Sequence, residues 1–165
     1  MHYFFFDASA LAKRVHHEPG SEAVNYLLDA LLDSVPERVV ISALILCETI
    51  SVLSREHNTG RIPIELFKKA TARFLLEART MNLQSIDDEK IFHSIPLISH
   101  HNLNASDALH LHQALKLRDL LQTMEHNLVM VCSDRRLLRA AGDERLVTLN
   151  PEEATPADVQ ALLRS

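Results

Sequence analysis

Short apolar runs rich in aromatic or β-branched residues alternate along this chain with much longer segments whose apolar residues recur every three or four positions. That alternation constrains the fold more than anything else in the sequence. A run too short for a helix and apolar throughout reads as a strand buried on both faces. Tyr3 to Phe6, Val39 to Ile41 and Leu128 to Cys132 are the clearest examples, and Leu83 to Ile86 and Leu146 to Leu149 are weaker ones. Between them, Ala23, Val24, Leu27, Leu28, Leu31 and Leu32 predict an amphipathic helix from Glu22 toward Pro36. Further helices are predicted from Ala43 to about His57, Ile64 to Thr80, Asp87 to about His101 and Ala105 to about Leu121. Pro96 implies a kink or an early stop in the fourth of these. Short helices are expected after Asp7 and Asp134, and a C-terminal one after Thr155, where Pro156 suits the first helical position. Strands separated by helices predict an α/β fold of three α/β/α layers, with a mostly parallel central sheet of about five strands.

The 165 residues fit one domain, read as residues 1–150 with a tail, 151–165, whose short helix packs back on it. Tyr3 to Phe6 is too short for a signal peptide or a membrane span, so a cytoplasmic protein without a membrane partner is expected. Cys47 and Cys132 stand in no metal-ligand spacing and are expected to be buried, reduced thiols. A net charge of -5, from 17 basic and 22 acidic residues, discourages a nucleic-acid partner unless some acids are neutralised by metal.

Four of those acids are conspicuous. Asp7 and Asp134 each stand between a strand and a helix, on the sheet edge where open parallel sheets bind ligands. An Asp in that position is also the expected helix cap. Asp107, in Asn104-Ala105-Ser106-Asp107, lies in a first helical turn where the dipole favours a negative charge. Glu48 has no such excuse, being the one charged residue between Ala43 and Leu53. A buried, unpaired carboxylate costs several kcal/mol, so Glu48 needs a partner or a cation, and Arg55 is marginally placed to serve. If the fold gathers the four, they form an oxygen-only cluster suited to one or two Mg²⁺ or Mn²⁺ ions rather than Zn²⁺.

The blocks Phe5-Phe6-Asp7-Ala8-Ser9-Ala10-Leu11-Ala12-Lys13, Ile41-Ser42-Ala43 leading to Cys47-Glu48, Ala105-Ser106-Asp107-Ala108-Leu109-His110-Leu111 and Cys132-Ser133-Asp134-Arg135-Arg136-Leu137 resemble the PIN-domain ribonucleases. The resemblance is to VapC-type toxins of prokaryotic toxin-antitoxin systems in particular, and it spans residue 3 to about 150. It implies a PIN-like fold and a Mg²⁺- or Mn²⁺-dependent endoribonuclease whose catalytic metal ligands are Asp7, Glu48, Asp107 and Asp134. It also implies an RNA substrate, a cognate antitoxin and a homo-oligomer, most simply a dimer. Ser9 falls where the family has a hydroxyl beside the metal. Many members have Thr where this chain has Cys132, leaving that hydroxyl to Ser133 or to nothing. The segment from Arg118 to Asn127 is longer than usual, which bears on the shape of the substrate groove.

Lys13, Arg14, Arg135, Arg136 and Arg139 flank the first and last acids and could contact substrate phosphates or be solvated helix charges. His110 also falls on a family position and reads as a helix-packing residue. His16-His17 and His100-His101 read as surface or packing histidines, since adjacent residues do not share a helix face. Two rival functions stay open: an inactive module of the same fold that binds RNA or a protein, and a phosphotransferase using Asp7 as nucleophile. The second wants an Asp two residues on, where the chain has Ser9.

Overall fold

A computed structural model describes residues 1–15 and 17–164 of the chain; His16 and Ser165, with the readings placed on them, lie outside the described residues. Five strands, β1 (His2–Phe6), β2 (Val39–Ser42), β3 (Asn82–Gln84), β4 (Asn127–Val131) and β5 (Val147–Leu149), form one sheet in the order β3-β2-β1-β4-β5. Every pairing is parallel, so the expected mostly parallel sheet is wholly so. Phe5 lies opposite Val40 on one side and Met130 on the other, and all three are fully buried. Such strands can be apolar on both faces only because helices cover both, which gives three α/β/α layers.

The helices among the described residues are α1 (Ala8–Leu11), α2 (Ser21–Leu32), α3 (Ala43–Asn58), α4 (Ile64–Ala78), α5 (Asp88–His101), α6 (Ala105–Gln122), α7 (Arg135–Asp143) and α8 (Pro156–Arg164). Val24, Leu27, Leu28 and Leu31 of α2 and Leu111, Ala114 and Leu121 of α6 enter the common core with Phe4, Phe5 and Phe6. Burying one such side chain fully contributes roughly 1.5–3 kcal/mol. Val159 of α8 is fully buried, and Leu162 and Leu163 pack against the same core. No helix among the described residues is long and apolar enough to cross a membrane.

Two local expectations need correction. The helix carrying Pro96 does not stop there but continues to His101. Pro96 and Phe92, the residue one turn earlier, are both exposed, so water can satisfy the carbonyl that lacks a donor. Cys132 is buried as expected, but Cys47 is exposed. The buried stripe of α3 runs through Ile45, Thr49 and Leu53, one turn apart, and Cys47 lies off it.

The chain steps outward from β1 through β2 to β3, then returns to the other side of β1 for β4 and β5. The strand order therefore reverses between β1 and β4, which opens a crevice at their carboxyl ends. The chain after α1 is drawn against the chain after β5 at Gly20, which precedes α2 with φ +89°, a conformation favouring glycine. A Cβ there would lie 2.8 Å from the Pro151 carbonyl carbon and 2.9 Å from its oxygen. Gly20→Ala should lower the unfolding free energy by about 1–3 kcal/mol through strain and displacement of that turn, measurable by urea denaturation. A variant as stable as the parent would show that the turn yields freely.

Candidate metal-binding carboxylate site

Asp7 ends β1, and its backbone N–H donates to the Val131 carbonyl at 3.0 Å, extending the pairing of β1 with β4 by one residue. Asp134 follows β4 after Cys132 and Ser133, so both carboxylates stand at the crevice where the strand order reverses. Asp107 enters from the first turn of α6, and Glu48 from the second turn of α3. One carboxylate oxygen each of Asp7 and Asp107 and one ring nitrogen of His110 lie within 4.8 Å of one another.

His110 is the residue the sequence reading undervalued. It is fully buried between two acids, with Nδ1 3.5 Å from Asp7 Oδ1 and Nε2 3.4 Å from Glu48 Oε2. These are ion-pair distances, and neither nitrogen has a well-aligned hydrogen-bond partner. Glu48 therefore finds its partner across the site, while Arg55 donates to Ser51 Oγ on its own helix. The signal was present in the sequence: Asp107 and His110 are three apart on one helix and share a face.

Capping and site membership turn out to be compatible. Asp7 Oδ2 accepts from the Ser9 amide at 2.9 Å, leaving Oδ1 toward His110. Asp134 Oδ1 accepts from the Arg136 and Leu137 amides at 2.8 and 3.1 Å, capping α7. Asp107 is not a cap, because Asn104 performs that task and accepts from the Asp107 amide at 2.8 Å. The Asn104 side-chain amide also donates to Asp107 Oδ2 at 2.8 Å, which turns that carboxylate.

Burial opposes ionisation of Asp7, but the His110 ring and the Ser9 hydroxyl and amide outweigh it and hold its carboxyl below the ordinary value. Asp107 is pushed the other way, to about 6, by desolvation and then by the charges of Asp7, Asp134 and Glu48, with His110 offsetting part. At an effective dielectric of about 20, two like charges near 5 Å apart repel by roughly 3 kcal/mol. One imidazole among four acids leaves the group negative. Oxygen donors with uncompensated charge suit a hard divalent cation, and Asp7 and Asp107, whose oxygens stand close together, are placed so that they could hold one.

The neighbouring hydroxyls sort differently from expectation. Ser9 Oγ accepts from the Ser133 amide at 3.0 Å, joining the two strand-to-helix turns. It is Cys132 that faces Asp7, with Sγ donating to Oδ2 at 3.8 Å and accepting from the Asp134 amide at 3.2 Å. Burial, and then the Asp7 charge, push the Cys132 thiol up, so it remains a neutral donor. The Ser133 hydroxyl is buried without a hydrogen-bond partner. Lys13 is corrected as a substrate contact: it is buried, with Nζ 2.8 Å from Glu152 and 3.6 Å from Glu18. Arg14 is likewise occupied by Asp29 and Glu77, at 2.7 and 2.9 Å. Arg135, Arg136 and Arg139 are exposed.

A family model for the PIN domain matches residues 4–143. Among solved structures, PAE2754 from Pyrobaculum aerophilum superposes with a TM-score of 0.65 at 17% identity, covering 99% of this chain and 90% of that one. FitAcB from Neisseria gonorrhoeae gives 0.60 at 15% identity, covering 92% and 99%. VapC20 from Mycobacterium tuberculosis, a toxin that cleaves the sarcin-ricin loop, gives 0.56 at 16%, covering 83% and 94%. At these identities the likeness is one of fold. No curated protein matches the chain in sequence.

The raised Asp107 value carries a definite sign. The folded state holds that proton more tightly than the unfolded chain, so the contribution is complete below about pH 4 and lost as pH rises through about 6. In metal-free buffer, Asp107→Asn should therefore match the wild type near pH 4 and exceed it by on the order of 1 kcal/mol at pH 7.5. Urea unfolding at the two pH values checks this. A variant less stable at pH 7.5 would mean that its helix-dipole contribution outweighs the repulsion.

Proposed function

The chain belongs to the PIN-domain family, a family of nucleases, and from that premise we propose that it is a Mg²⁺- or Mn²⁺-dependent endoribonuclease acting as the toxin of a toxin-antitoxin pair. The observation that carries the reading is the convergence of Asp7, Asp107 and His110, with Glu48 and Asp134 beside them, at the β1–β4 crevice. In this reading Asp7 and Asp107 are the principal ligands of one or two ions, and Glu48 and Asp134 complete the shell directly or through water. A bound ion supplies positive charge that polarises the scissile phosphate and makes a neighbouring water a better nucleophile.

The chain's own residues do the rest. His110, fixed between Asp7 and Glu48, sets the spacing of those two carboxylates and excludes solvent behind them. Ser9 and Cys132 orient Asp7 from its other side. Arg135 and Arg136 occupy the first two positions of α7, where the helix dipole disfavours a cation. Their exposure beside Asp134 suits contact with backbone phosphates, with Arg139 one turn further on. Lys13 has no part in that groove.

RNA as substrate is supported by VapC20, which cleaves the sarcin-ricin loop, and an antitoxin partner by the toxin-antitoxin complex from Klebsiella pneumoniae, which shares the fold at a TM-score of 0.55 and 17% identity. An apolar groove of about 600 Å³, lined by Leu44, Ile91, Ile95, Ile98 and Leu109, runs beside the start of α6 and suits a partner's apolar segment. Exposed Phe92 on α5 offers a surface for self-association as a dimer. The setting is the cytoplasm, where such a substrate is found. The inactive-module alternative lacks a motive, since all four acids are present.

The purified chain should cleave structured or unstructured RNA when Mg²⁺ or Mn²⁺ is added and stop when it is chelated. Asp7→Asn should reduce the rate at least about 100-fold. Cleavage by Asp7→Asn at the parent's rate would end the proposal, and so would Mg²⁺ raising the melting temperature of that variant as much as the wild type's.

A further inference from the structure

Where α5 and α7 end, at the opposite end of α7 from Asp134, two imidazoles and a carboxylate converge independently of the carboxylate crevice. One ligand atom each of His100, His101 and Glu144 lies within 4.8 Å of the others. His101 is 8% exposed, and its Nε2 stands 2.8 Å from Glu144 Oε1. On the other side of its ring, Nδ1 is 3.8 Å from Asp143 Oδ2. The exposed His100 ring meets it edge-on, with centroids 4.5 Å apart and planes at 84°. His100 and Glu144 border an open cleft of about 510 Å³ shared with Pro96, Leu97 and Ser99.

A hydrogen bond between His101 and Glu144 accounts for that pair alone. It does not account for His100 joining them, nor for a second carboxylate at the far nitrogen of His101. That arrangement has the form of a metal-binding histidine, whose outward nitrogen faces the ion while a carboxylate orients the ring from behind. Two donors on a tetrahedral ion stand about 3.3 Å apart, within the range these atoms span. The loop carrying Glu144 is already fixed, because Arg118 Nη1 donates to the Glu144 carbonyl at 2.6 Å and the Leu146 amide donates to Ala141 at 2.9 Å.

We propose that His100, His101 and Glu144 form a second metal site, separate from the carboxylate crevice, that takes a borderline transition ion such as Zn²⁺ in preference to Mg²⁺. Two imidazole nitrogens and one carboxylate oxygen favour zinc, nickel or copper, whereas the crevice offers mainly oxygen. The cleft leaves the fourth position to water. Bound there, the ion ties the last turn of α5 to the end of α7 and serves as a structural clasp.

The test is titration of the full chain with Co²⁺ in excess Mg²⁺, followed by visible absorption. The wild type should bind one equivalent with the bands of a tetrahedral site, and Zn²⁺ should displace it. His100→Ala, which truncates an exposed side chain, and Glu144→Gln should each weaken Co²⁺ binding at least about tenfold, while Asp107→Asn leaves it unchanged. Absence of the bands, or their survival in both variants, overturns the site and leaves a structural His101–Glu144 hydrogen bond only. Bands lost in Asp107→Asn would place the ion in the crevice and also overturn it. These outcomes do not depend on RNA cleavage, so failure of the nuclease reading and failure of this one are told apart.

Discussion

β1 and β4 lie side by side over five paired residues although most of the chain separates them, and this pairing sets the distance between the turns that follow them. Each turn must present a carboxylate outward while its helix departs in the same direction. Strands with less apolar surface could not keep two such turns together against the repulsion of their charges. Phe4, Phe5, Phe6, Val129, Met130 and Val131 are all fully buried, and the electrostatic cost at the crevice is met by that burial. The histidine between Asp7 and Glu48 offsets part of it from within.

The strands and long helices were legible because their periodicities are unambiguous: an aromatic run ending at Asp7, or an i, i+3, i+4 stripe such as Val24, Leu27, Leu28 and Leu31. The weaker strands were less so. β3 begins at Asn82, ahead of the expected Leu83 to Ile86, because an edge strand is half exposed and leaves little hydrophobic signature. The four acids were readable as a set by position in the pattern. What could not be read was the direction each side chain takes. Lys13 and Arg14 flank the first acid in sequence, yet they follow α1 in a tight 3₁₀ turn and are drawn to Glu152, Asp29 and Glu77. Cationic neighbours in sequence therefore misled, whereas Arg135 and Arg136, at a helix start, stayed exposed.

Capping and ligation were set against each other as explanations of Asp7 and Asp134, and the geometry shows why that opposition was false. A carboxylate has two oxygens and several lone pairs, so one oxygen can terminate a helix while the other faces a cleft. The cap then fixes the rotamer, which is what a site composed of short acidic side chains requires. Asn104 achieves the same for Asp107 from outside, by taking the cap itself and turning its neighbour with the remaining amide.

The hydroxyl of Ser9 has a mechanical consequence. By accepting the Ser133 amide it fastens the loop after β1 to the loop after β4, so the two loops behave as a single jaw. Breathing of the sheet edge, which would otherwise widen the gap unevenly, must first break that bond. A small side chain near the start of the polypeptide thus governs how far its distant counterpart can drift.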